Sequence, residues 1–271
     1  MTQSADRVQL TWEGEGVAVV TVVGTPPNPC TFVAVDQIAE RLQQAREEGA
    51  RAVVLASSVQ GHWLGHASLG DLAALFRGAS TRGSGAGFFK AADELSKQHV
   101  VTIAAISGDT SGGGCELGWA CDLRVADETA RFAQMEVLAG LIPGLGGIAR
   151  LSRLIGRTAT AEIVLDGAPV SAARLHALGA INRIVSPGRA LPVSIAWAQR
   201  LAKRPAEALS LAKRVLSESE ELPLQASLAN EQSQFQKIAS SPEALELMDE
   251  IQAQYDAGVI PPRVMIDPFE D

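Results

Sequence analysis

"TSGGGCELGWACD", residues 110–122, sets three successive glycines directly before a cysteine and a glutamate. Glycine has no Cβ, so a strand that ends at Ser107-Gly108 and runs into Gly112, Gly113 and Gly114 can turn sharply and leave its backbone N–H groups bare. A helix starting near Gly114 would polarise those groups positively, which suits a phosphate, a carboxylate or the oxygen of a polarised carbonyl. Glu116 lies three residues beyond Gly113, so its carboxylate can face the same pocket. The local pattern also fits a tight turn followed by a glutamate that merely complements the helix dipole. A phosphate loop does not fit, because no Gly-Lys-Ser/Thr follows and no acidic residue stands where a ribose would need it. Neither Gly-x-Ser-x-Gly nor His-Glu-x-x-His occurs.

Upstream of the glycines, "VVTIAAIS" reads as a buried strand, and the same rhythm recurs earlier. "RVQLTWEGEG" and "VAVVTVVG" predict a hairpin that breaks at "TPPNPC". Apolar residues at Val35, Ile38, Ala39, Leu42 and Ala45 then mark one helical face, and "RAVVLAS" supplies another strand. Residues 77–87, "RGASTRGSGAG", read as a loop because ordering so many Gly and Ser residues costs too much backbone entropy. From "PGLGGIARLSRLIG" onward the pattern is almost wholly helical, apart from a short strand and turn at "INRIVSPG". Helical faces are marked by Ile195, Ala198 and Leu201, by Leu209, Ala212 and Val215, and by Leu245, Met248, Ile251 and Tyr255. The expected division is an α/β core over 1–190 and a helical region over 191–271.

Composition narrows the class of function. A chain of 271 residues, 46% hydrophobic and 20% charged, can bury a large core. Its formal charge of −8 gives no footprint for nucleic acid or an anionic membrane, which favours a small-molecule substrate. No window approaches a membrane span, and the N-terminus lacks the pattern of a signal peptide. Cys30, Cys115 and Cys121 form no metal-ligand pattern and suit a reducing cytoplasm, with Cys115 and Cys121 read as core residues. His62 and His66 have i, i+4 spacing, but Gly61 and Gly65 argue against a helix there, so no metal site is expected.

Residues 106–156, from "ISGDTSGGGCELGWACD" through "FAQMEVLAG" to "PGLGGIARLSRLIG", resemble the signature of the enoyl-CoA hydratase/isomerase, or crotonase, superfamily. The continuation "AEIVLDGAPVSAARLHALGAINRIV" is also similar to its members. The resemblance implies a ββα superhelix core with a C-terminal helical region that forms trimers or hexamers and covers the acyl pocket. It implies an acyl-CoA thioester whose carbonyl oxygen binds two backbone N–H groups; coenzyme A is part of the substrate, and no separate cofactor is implied. Gly113 matches one donor. Aligning "HWLGHASLGDL" with the family's other donor segment puts His66, after Gly65, at the second. Glu116 and Glu136 match the catalytic glutamates of hydratases, with Gly65, Gly112, Gly114, Pro143 and Gly144 around the substrate. "PGLGG", residues 143–147, is read as a helix-entry turn rather than as part of the chemistry.

The expected reaction is syn addition of water to a 2-enoyl-CoA. Alternatives on the same fold are double-bond isomerisation and lyase or decarboxylase chemistry; a non-catalytic acyl-CoA-binding or RNA-binding relative is the alternative of another class. The chain departs from the family pattern where an aspartate would follow Gly65, since His66-Ala67-Ser68 stands there and Asp71 lies farther along. "TPPNPC" also lacks the basic residue that can meet the coenzyme's phosphates. Arg77 and Arg82 are read as solvated loop residues.

Overall fold

Strands that read as continuous apolar runs need cover on both faces, and that requirement organises the fold. A computed structural model describes residues 7–259. Strands β1 (Val8–Trp12) and β2 (Val17–Val22) form the expected antiparallel hairpin. Thr31 caps helix α1 (Phe32–Glu47) by accepting the Ala34 N–H, and α1 leads to β3 (Ala52–Ser57). Three similar units follow.

In the first, β3 passes to the short β4 (Gly61–His62) and helices α2 (Leu69–Phe76) and α3 (Ala86–Ser96). In the second, β5 (Val101–Ile106) passes to β6 (Gly108–Ser111) and α4 (Gly113–Ala120). In the third, β7 (Leu123–Asp127) passes to β8 (Arg131–Ala133), a 3₁₀ turn at Glu136–Ala139 and α5 (Ala149–Asp166). The chain continues through β9 (Val170–Ser171), α6 (Ala172–Ala177), β10 (Arg183–Val185) and α7 (Ala190–Ala202).

Each unit sends one strand to each of two sheets. The larger has the order β1-β2-β3-β5-β7-β10, parallel apart from the hairpin, and the smaller β4-β6-β8-β9. Repetition of strand, strand, helix gives the ββα superhelix. Alternation along β3 sends Val53 and Leu55 into a core with Phe32, Ile38, Leu42 and Leu95 of α1 and α3. Ala52, Val54 and Ala56 face the opposite side, where Ala190, Val193, Ala198 and Ala202 of α7 cover the sheet.

That cover moves the division of the chain. The expected boundary at 190/191 would assign α7 to the tail, whereas the compact units part between Arg204 and Pro205. The amphipathic pattern of α7 is the same in either setting; the sheet face left bare without it decides the matter. The second unit comprises α8 (Ala206–Ser219), α9 (Leu224–Ala239) and α10 (Pro242–Asp256), and α8 packs on α9. Helix α2 was not anticipated. Its eight residues begin at the Ser68 cap, and Asp71 ties it to α1 by accepting the Phe32 N–H at 3.0 Å.

Among the described glycines, the closest approach joins α4 to the segment after β4. A Cβ placed on Gly114 would lie 2.0 Å from the Leu64 carbonyl oxygen, and the Gly114 N–H donates to Gly65 O at 3.1 Å. Gly114→Ala is therefore expected to destabilise the protein by about 1–3 kcal/mol, the usual penalty of overpacking. Gly144→Ala, at a position with open space around it, is expected to change stability by less than about 0.5 kcal/mol. Thermal unfolding of both variants beside the parent checks the contrast.

Candidate active site

The loop from Trp63 to Ala67 and the start of α4 lie against each other, and the N–H groups of the glycines around Gly113 are used internally. Gly65 N–H donates to Asn28 O, Gly112 N–H to Ala133 O and Gly114 N–H to Gly65 O. Among the described residues, the N–H groups of His66 and Gly113 donate to no protein acceptor. They flank the same opening: a Cβ added to Gly113 would be 3.5 Å from the Ala67 nitrogen, and one added to Gly112 would be 3.1 Å from the His66 Cβ. Gly112 also has a φ of 49°, in the left-handed region that favours glycine.

Buried Asn28 secures the His66 side of the opening. Its side-chain amide donates to Trp63 O at 2.5 Å and to Ser57 Oγ at 3.2 Å. "TPPNPC" thus supplies a brace for this loop. The imidazole of His66 turns its Nδ1 to Ala67 O at 2.8 Å.

Glu116, only 4% exposed, stands on α4 with one carboxylate oxygen held from behind. The N–H groups of Leu145 and Gly147 both donate to its Oε1, at 2.6 and 2.9 Å. Residues 143–147 therefore do more than lead into α5: the turn fixes the rotation of this carboxylate. Arg150 braces the turn by donating to Leu145 O. Burial raises the Glu116 pKa above the ordinary carboxylate range, against the N–H groups of Gly147 and Leu145 and the Arg150 charge, which lower it.

Glu136 opens the 3₁₀ turn, and its Oε1 would be 3.4 Å from a Cβ on Gly112. Gln134 orients it. The Gln134 Nε2 donates to Glu136 Oε1 at 3.1 Å while its Oε1 accepts from Trp119 Nε1 at 3.1 Å, and Trp119 stacks on Phe132. Because indole can only donate, this arrangement fixes which end of the amide faces the carboxylate. The Glu136 pKa is raised, first by desolvation and further by the charge of Glu116. Burial pushes the Cys115 thiol up to about 12, so it stays protonated beside the site.

His66, Gly112, Gly113, Glu116, Glu136 and Gly144 all line one cavity of about 830 Å³. Gly65, Gly114 and Pro143, expected around the substrate, are not among the residues that line it. A Cβ on Gly65 would meet the Pro27 and Asn28 carbonyls, Gly114 is occupied by its approach to Leu64, and Pro143 packs beside Gly147. The positioning roles of Asn28, Gln134 and residues 145–147 escaped the sequence reading. Backbone donors carry no side-chain signature, though Gln134 stood within the quoted "FAQMEVLAG".

The enoyl-CoA hydratase/isomerase family model matches residues 13–251, and the chain belongs to that family. A relative from Rhizobium meliloti, called a probable enoyl-CoA hydratase, is 38% identical over 54% of this chain and 57% of its own. The 2,3-dehydroadipyl-CoA hydratase of Escherichia coli is 36% identical over 51% of this chain and 54% of its own. The matches thus span little more than half the length of these relatives. An enoyl-CoA hydratase crystal structure from Polaromonas sp. JS666 superposes with a TM-score of 0.82 at 27% identity, covering 94% of this chain and 98% of the other. Among the described residues, no helix is long and apolar enough to cross a membrane.

The raised carboxyl pKa values make a stability prediction. A carboxyl group whose folded pKa lies above its unfolded value favours folding below the unfolded pKa and loses that contribution as pH rises through the folded one. Glu116→Gln removes this dependence and keeps an acceptor for the two N–H groups. The melting temperature of Glu116→Gln relative to the parent is therefore expected to increase from about pH 4 to pH 8, starting in the ordinary glutamate range. Parallel melting curves across that interval check the sign.

Proposed function

We propose that this protein hydrates a 2-enoyl-CoA to a 3-hydroxyacyl-CoA. The observation that carries the reading is the meeting, at one cavity, of two N–H groups without a protein acceptor and two partly desolvated carboxyl groups. The thioester carbonyl oxygen takes the N–H groups of His66 and Gly113. As a water oxygen adds to Cβ, negative charge shifts through Cα to that oxygen, where each fixed donor typically contributes about 3 kcal/mol to lowering the barrier.

Glu116, held through Oε1, orients the water and takes its proton. Glu136 delivers a proton to Cα, so water is added across the double bond and the enolate-like charge is discharged. A raised pKa suits Glu136 to this acid role. Reversal of the steps dehydrates the product. Two carboxyl groups at the cavity favour hydration over a shift of the double bond, for which one would serve.

Coenzyme A enters as part of the substrate, and no other cofactor takes part. The reading extends to a cytoplasmic enzyme that neither inserts into a membrane nor binds nucleic acid, assembled as a homotrimer or homohexamer through its C-terminal helices. Support for assembly comes from α8, α9 and α10, which contain no buried residue and expose Leu216, Leu228 and Phe235.

The test follows loss of enoyl-thioester absorbance with crotonyl-CoA and longer enoyl-CoAs. Glu116→Gln and Glu136→Gln are each expected to lower kcat by about 10²–10⁴-fold. Undiminished turnover in either variant contradicts the role given to that residue; absence of turnover by the parent on every substrate contradicts the function.

A further inference from the structure

The sequence alone leaves the acyl group open; the walls of the cavity narrow it. Away from Glu116 and Glu136 the cavity is enclosed by three apolar surfaces. Helix α2 contributes Leu69, Leu72, Leu75 and Phe76, and α3 contributes Phe88 and Phe89. The turn after Glu136 contributes Leu138, Leu141 and Ile142. No Lys or Arg is among the lining residues; the ionisable side chains there are the two glutamates and His66, which stands beside Gly112 and away from the apolar walls.

No residue of α2 is buried, and Phe76 is 79% and Ile142 72% exposed. Apolar side chains gathered at this exposure mark a surface that a partner or ligand covers. Because the surface is continuous with the carboxyl groups in one cavity, the occupant that accounts for both is the tail of the reacting acyl chain. A four-carbon enoyl group would leave most of these walls wet. At about 830 Å³ the cavity lies toward the upper end of the range for small-molecule sites.

Resting on the hydratase reading of this site, we infer that the acyl site selects a long or bulky, uncharged hydrocarbon group and rejects one that ends in a carboxylate. A terminal carboxylate would leave water for a wall that offers no cation, in a cavity that already holds two glutamates. A hydrocarbon tail gains contact with α2, α3 and the 138–142 turn as it lengthens. Burial of each added methylene is worth up to about fourfold in binding.

The experiment measures kcat/KM for crotonyl-, hexenoyl-, decenoyl- and cinnamoyl-CoA, and for a six-carbon enoyl-CoA ending in a carboxylate. The inference expects decenoyl-CoA or cinnamoyl-CoA to exceed crotonyl-CoA at least tenfold, and the carboxylated substrate to fall at least tenfold below hexenoyl-CoA. Preference for crotonyl-CoA, or equal use of the two six-carbon substrates, would overturn it. Phe76→Arg is expected to raise the ratio of carboxylated to plain six-carbon turnover at least fivefold; an unchanged ratio would overturn the placement of the acyl tail along α2.

Calorimetry with saturated butyryl-, hexanoyl-, decanoyl- and adipyl-CoA separates this inference from the hydratase reading, because binding needs no turnover. Tightest binding of decanoyl-CoA, with adipyl-CoA weaker than hexanoyl-CoA, supports the selection even if no enoyl-CoA is hydrated. Equal affinities overturn it even if hydration is rapid.

Discussion

The site depends on a backbone contact that only glycine permits. With the Leu64 carbonyl oxygen 2.0 Å from where a Gly114 side chain would begin, any Cβ there would push α4 away from the Trp63–Ala67 loop. At that contact the Gly114 N–H is used by Gly65 O, while the Gly65 N–H donates to Asn28 O on the other side of the loop; the N–H groups of His66 and Gly113 stay without a protein acceptor at the cavity. The small sheet fixes the approach from behind: β4 pairs with β6, and Leu64 O accepts from Ser111 N–H and Thr110 Oγ1. Asn28 holds the loop from the other side.

This construction has a thermodynamic cost concentrated on two side chains. Glu116 and Glu136 are removed from water to an extent that raises both pKa values, and each is fixed by hydrogen bonds from neighbouring groups. Leu145 and Gly147 donate to a single oxygen of Glu116, while Trp119 and Gln134 set the orientation of Glu136. A protein selected for stability alone would place apolar residues at both positions. Retaining carboxyl groups there trades folding stability for groups poised to exchange protons, the usual compromise at an active site.

The sheet strands, the hairpin and the glycine turn were legible because each rests on local rules: unbroken apolar runs, turn residues and missing Cβ atoms. Glu116, Glu136, His66 and Gly113 were legible as a set only through resemblance, since their joint approach to one cavity comes from three separate segments of the chain. What the sequence left unread is tertiary in origin. Gly65 and Gly112 look alike in a motif, yet one faces the Pro27 and Asn28 carbonyls and the other faces the cavity. The periodicity of α7 announces an apolar face without saying that the central sheet needs it. Helix α2 escaped notice because "LGDLAALF" is short, contains a glycine and buries none of its residues.

The central claim is that two backbone N–H groups polarise a thioester carbonyl while the carboxyl groups act on the neighbouring carbons. The direct measurement is the infrared or Raman carbonyl frequency of an enoyl-CoA carrying ¹³C at its thioester carbon, free and bound to the Glu116→Gln protein. The account predicts a lower frequency on binding, as hydrogen bonds from His66 and Gly113 weaken the C=O bond. A bound ligand whose carbonyl frequency stays at its value in water, or rises, would contradict it.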